Sequence, residues 1–417
     1  MRGGALAEAI HAVQADELAQ VRHLLADSSV RSGINQPIGS FDSPAIIHVK
    51  SRGLLDLLLE AGADINARSN WWAGGFGLLD WAPPDVARYA IERGATVTIH
   101  AAARLSLIDE LKTLLAKDPA LVHARGGDGQ TPLHMAATVE VADLLIAAGA
   151  DLNTRDVDHE STAAQYMVGE RQPVARHLVA KGCTTDLLMA SALGDLDRAR
   201  RHLDANPQCV RMRVDDDWFP MANPKAGGTI YNWTLGFYAS AHEVAKRYER
   251  ADVLQLLFDH TPAAARVVEA CWVEDEAAVA RFRQDKADVN IELDDSERTL
   301  IAHAARNNKT AAVRLMLECG LPVGTPGQHR GTPLHWAAFH GNADMVREIL
   351  RFKPALDDTA NDFNGTPVGW AIHGSEHGWY ARTGDYPRVV ELLLDAGVKR
   401  PGAIAGSAAV REVLQRL

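Results

Sequence analysis

The stretch GTPLHWAAFHGNADMVREIL, Gly331 to Leu350, constrains this chain more than any other. Its apolar residues recur at helical spacing on both sides of a Gly341-Asn342 break, so it reads as two short helices joined by a turn. Thr332 offers a hydroxyl to cap the first helix, and Pro333 suits its first turn. Leu334, Ala337 and Ala338 give that helix a narrow face that lets a neighbour approach closely. Met345, Val346, Ile349 and Leu350 are expected to bury the second helix. One such pair cannot cover its own apolar face, so it needs copies of itself on both sides.

Copies are present. TPLHMAA recurs at Thr131 to Ala137, and the second helix with its following turn recurs as LLDLLLEAGADINAR (Leu54 to Arg68) and VADLLIAAGADLNTR (Val141 to Arg155). TPLHWAAFHGN, Thr332 to Asn342, and TPLHMAA resemble the ankyrin repeat signature T-P-L-H-x-A. The resemblance implies an all-α ankyrin repeat solenoid, here of about twelve helix-turn-helix units. It further implies one continuous array over residues 1–417, and a protein-binding role carried by variable residues. His134 and His335 are the signature histidines, expected to bond backbone between repeats.

Composition narrows the partners. Hydrophobic residues make up 47% of the 417, which argues for a folded chain, and a net charge of −11 disfavours nucleic acid or an anionic membrane. The four cysteines, Cys183, Cys209, Cys271 and Cys319, show no metal or disulfide spacing, which fits a reducing cytoplasm. The N-terminus has no signal-peptide pattern, and no apolar run is long enough to span a bilayer. The expectation is a cytoplasmic monomer with no cofactor and no metal.

A repeat array does not need its irregular places, so they are where a site would show. Two insertions stand out, at about 215–241 and 375–386, and both carry aromatics. The third unit is irregular too, with Trp71, Trp72 and three glycines at its helix start. Bulky aromatics in loops either plug the loop onto its scaffold or line a pocket. From the insertions the ligand-binding candidates are Trp218, Trp233, Tyr238, Trp379, Arg382 and Asp385, with His242 just after the first. From the first helices they are Trp272, Trp336, Phe339, His340 and Trp370. The resemblance implies that residues just before the inter-helix glycine face the concave groove. Both insertions are expected to roof one stretch of that groove, in units eight to twelve.

His373, Glu376 and His377 are the catalytic candidates. Their H-x-x-E-H order is that of one zinc-peptidase class, but Gly374 stands where repeats leave the helix, so one continuous helical turn through both histidines is not expected. A metal-free histidine–carboxylate pair could still exchange protons near neutral pH. No nucleophile elbow, P-loop or dinucleotide fingerprint appears. Two readings result. One is a module holding a protein segment in its groove; the other is an unusual ankyrin-fold enzyme acting on a small molecule by acid–base chemistry.

Overall fold

The structure, a computed structural model, describes residues 2–283 and 293–416. Among them every regular element is a helix; β-pairing is limited to isolated bridges such as Arg68 with Gly77 and Arg155 with Thr162. The chain forms two compact units, Met1–Leu193 with Arg213–Ala239, and Gly194–Met212 with Ser240–Leu417. The end of the ninth expected unit, 284–290, lies outside the described residues.

The second unit shows why the repeat folds as it does. Pro333–Phe339 and Ala343–Leu350 form the pair read from the sequence, joined through Gly341 at φ 65°. Thr332 caps the first helix together with His335, whose Nδ1 receives the Thr332 N–H and hydroxyl. The other ring nitrogen, Nε2, then donates to the carbonyls of Asp358 and Gly365. His134 does the same in the first unit, with Thr131 on one side and the Ser161 carbonyl on the other. Each signature histidine therefore joins a helix start to the next turn. Burial drives the ring of His134 down to about 4, so it is neutral in the fold.

Asn342 caps the second helix through its Oδ1, which accepts from the Met345 N–H, while its amide nitrogen donates to Asn308 Oδ1 and Thr310 Oγ1 of the preceding repeat. Leu334, Ala337, Val346 and Ile349 are fully buried. Leu350, expected in that core, is only half-buried, because it sits at the edge of the helical face that Ile349 centres. Cys271 and Cys319, far apart in sequence, come within 3.8 Å at sulfur on neighbouring helices.

One departure concerns Gly374. The helix Pro367–His377 runs straight through it, where the repeat pattern suggested an exit. The glycine is there for packing: a Cβ on it would stand 2.3 Å from the Phe339 carbonyl oxygen. It lets two first helices approach closely.

Candidate functional site

That close approach shapes a cleft in the second unit. The helices Pro333–Phe339 and Pro367–His377 present Trp336, Phe339 and Trp370 side by side, and the turns around them add Phe363 and Trp379. These rings, with His329 and His373, line a cleft of about 430 Å³. Trp336 packs edge-on against Trp370 at 5.1 Å and parallel to Trp379 at 6.1 Å. The Arg306 guanidinium lies over Trp336 and Trp379, at 5.7 and 5.1 Å from their centroids. Phe363 and Trp379 are 63% and 60% exposed, so the cleft keeps two large rings in solvent. The indole N–H groups of Trp336 and Trp370 are buried without a hydrogen-bond acceptor. Such orphan donors are uncommon in folded proteins.

The second insertion forms the rim. The Asp385 N–H donates to the Gly341 carbonyl, and the Tyr386 hydroxyl to the Phe339 carbonyl, 2.8 and 3.0 Å away. Those bonds hold the insertion against the inter-helix turn and place Trp379 over Phe339 and His340.

The remaining sequence candidates fall elsewhere. Trp272 is fully buried, its N–H donating to Glu243 at 2.6 Å with the Lys309 ammonium over its ring, so it is core and not groove wall. His242 is also fully buried and bonds Thr261. His340 donates through Nε2 to the Arg306 carbonyl and is 1% exposed; burial pushes its ring down to about 4. It joins repeats and is not among the residues that line the cleft. Asp385 caps the helix Tyr386–Asp395 by accepting from Arg388, and Arg382 is exposed without lining the cleft. His373 and His377 lie one turn apart on a single helix, their rings 4.8 Å apart, contrary to the expectation of a break. Glu376 forms an ion pair with Arg411 at 3.7 Å. Among the described residues no third histidine, cysteine or carboxylate joins the two rings in a metal-sized group.

The first insertion belongs to the first unit. Its ends are tied by the pair of bonds between Val214 and the Tyr238–Ala239 backbone. Trp218 and Tyr238 are half-buried in this loop. Its middle is clamped onto the turn 155–162. Glu160 accepts from the N–H groups of Ala222 and Asn223, Ser161 Oγ accepts from Ile230 N–H, and Gly227 N–H donates to the Asp158 carbonyl. Trp233, 58% exposed, lies over His159 at 4.7 Å. Its ring partners are His159 and Phe237, both of the first unit, so each insertion is built into its own unit.

Under Trp233 is a group that the sequence reading missed. Asp128, Asp158 and His159 are all buried, with ligand-type atoms within 4.8 Å of one another. Burial, with Asp158 and Asp156 close by, lifts Asp128 to about 6 despite the pull of His159. A signal was available: Arg125-Gly-Gly-Asp128-Gly129 and Arg155-Asp-Val-Asp158-His159 share one register, and histidine replaces the turn glycine in the second.

Ankyrin repeat models match residues 241–362 and 301–402 as three-copy arrays, and 128–157 as a single repeat. Palmitoyltransferase Hip14 of Drosophila melanogaster is 31% identical over 97 residues, 23% of this chain and 14% of that one. Human palmitoyltransferase ZDHHC13 is 29% identical over 101 residues, 24% of this chain and 15% of that one. The chain thus spans about a seventh of the length of these relatives. The crystal structure of the human ASB11 ankyrin repeat domain aligns at 16% identity and a TM-score of 0.28, over 66% of this chain and all of that one. No helix among the described residues is long and apolar enough to cross a membrane. On the matching models, and on the capped helix pairs with their bridging histidines, residues 128–157 and 241–402 of this chain are ankyrin repeats.

Proposed function

We propose that this protein is a binding scaffold whose second unit holds an extended protein segment, with one large apolar side chain of that segment seated between Trp336, Phe339, Trp370 and Trp379. Ankyrin repeats serve as protein-binding scaffolds in general, and the aromatic cleft is the observation that carries the specific reading. Aromatic anchors in a concave site supply much of the energy of such contacts.

A small molecule in the same cleft is the second reading, supported by a volume within the usual range for such ligands. Acid–base catalysis has less support, since Glu376 is held by Arg411 and does not line the cleft.

The test is selection of a random peptide library on the full chain, followed by titration of the selected peptides against Trp370→Ala and Trp379→Ala. Peptides enriched in one aromatic or large aliphatic position, weakened by both substitutions, are expected. Peptides that bind both variants as tightly as the parent would place the binding surface elsewhere.

A further inference from the structure

We propose that Asp128, Asp158 and His159 form a binding site for one divalent transition-metal ion, completed by the first insertion. This site lies within the first unit and does not depend on the peptide-binding reading of the second.

The argument begins with the imidazole. His159 Nδ1 donates to the Gly228 carbonyl at 2.8 Å, which leaves the Nε2 lone pair facing away from the loop in the neutral ring. Metal-bound histidines are held in this way, with the second ring nitrogen fixed by a carbonyl or carboxylate. Nε2 points at two carboxylates at once, standing 3.8 Å from Asp128 Oδ2 and 3.7 Å from Asp158 Oδ2. A charge-assisted hydrogen bond to one of them would close to about 2.7–2.9 Å. Nε2 instead keeps nearly equal gaps to both. Two ligands of a tetrahedral zinc ion at bond lengths near 2.1 Å lie roughly 3.4 Å apart, so a modest contraction would fit an ion between them.

The surroundings support an ion more than a salt bridge. Asp128 is 8% exposed, and its Oδ1 has no hydrogen-bond donor. A buried carboxylate oxygen without a partner is costly unless something positive meets it. The Trp71 indole N–H lies beside Asp128, and it too is buried without a hydrogen bond of normal geometry. Asp158 is oriented from behind, where its Oδ1 accepts from the Gly227 N–H at 3.2 Å. Two carboxylates with one neutral imidazole match a divalent ion in charge. The nitrogen ligand favours zinc over calcium or magnesium, the two carboxylates also suit manganese, and three protein ligands leave a position for water or another molecule.

The loops explain how the site was assembled. Gly227 and Gly228 belong to the insertion, and a Cβ on Gly227 would press on both Asp158 and His159 at 3.3–3.6 Å. On the other side, the irregular 71–77 segment meets the turn bearing Asp128, where a Cβ on Gly74 would clash with the Gly126 carbonyl at 2.1 Å. Two departures from the repeat, far apart in sequence, both end at this histidine–carboxylate group.

The test uses the full chain, stripped with chelator and titrated with Zn²⁺ and, separately, Mn²⁺ by calorimetry. One equivalent of at least one ion is expected to bind. Asp128→Asn, Asp158→Asn and His159→Gln are each expected to weaken it by at least about 100-fold, whereas His377→Ala, at the other histidine pair, leaves it unchanged. Hydrogen exchange on the parent gives a readout that does not depend on how the variants fold: the ion is expected to protect 126–129, 157–162 and 222–230. Absence of saturable binding by either ion overturns the proposal. So does binding that survives all three substitutions, or protection confined to other segments.

Discussion

The cleft around Trp336, Trp370 and Trp379 and the group at Asp128, Asp158 and His159 grow from the same repeat but use different parts of it. The cleft is made on helices, where a residue three or four along faces the same way, so large rings can be stacked from adjacent first helices. The carboxylate group is made on the turns between repeats, where Asp128 and Glu160 take positive φ and backbone groups need polar partners. Helical faces in this fold therefore collect apolar surface, and turns collect charge. Each insertion completes what its neighbourhood offers: the second adds an indole to an aromatic wall, and the first fixes an imidazole beside carboxylates.

The contrast can be broken most strongly through the core beneath the cleft. Ile349→Ala is expected to cost about 2–5 kcal/mol in denaturant unfolding, and half-buried Leu350→Ala under about 1 kcal/mol. Equal losses would mean that the helix faces its neighbours differently. Because repeats couple to their neighbours, exchange is expected to quicken first in 310–395 and to spare the turn at 155–162.

Acid is expected to act on both units by one cause. His134 in the first and His340 in the second are buried neutral, with folded-state values near 4, below the ordinary 6.5. A proton therefore binds the unfolded chain more readily than the folded one. Their contribution is complete above pH 6.5 and is lost as pH falls toward 4, up to about 3 kcal/mol for each ring. His340→Asn, if it keeps the bond to the Arg306 carbonyl, is expected to flatten that dependence in the second unit alone. A pH profile unchanged by this substitution would remove His340 from the account.

Smaller effects separate the two insertions. Trp379→Ala is expected to weaken a selected peptide by about 10- to 100-fold with little change in the melt, whereas Trp233→Ala leaves peptide affinity as it was. Loss of peptide binding in Trp233→Ala would erase the distinction. Asp385→Ala is expected to cost about 1 kcal/mol through its helix cap, and Arg382→Ala less than about 0.5 kcal/mol. A large effect of Arg382→Ala on peptide affinity would extend the site along the rim.

Periodicity determined the repeated helix pair and its turns, because such a pair must bury one face and needs few residue types to do so, while the resemblance to the ankyrin signature marked the two histidines. The phase of Trp336 and Trp370, one slot after the signature's histidine position (His335 and Gly369), was legible for the same reason. Tertiary structure decided what depends on distance between turns. Gly374 looked like a helix exit until the neighbouring carbonyl showed that it serves close packing. Trp272, His242 and His340 looked available because sequence gives spacing along a helix but not the depth of the helix in the stack. Asp128 and His159, thirty-one positions apart, meet because consecutive turns lie side by side and because a loop some seventy residues further on supplies the Gly228 carbonyl that fixes the ring. No local pattern encodes that carbonyl, since any residue could have provided it.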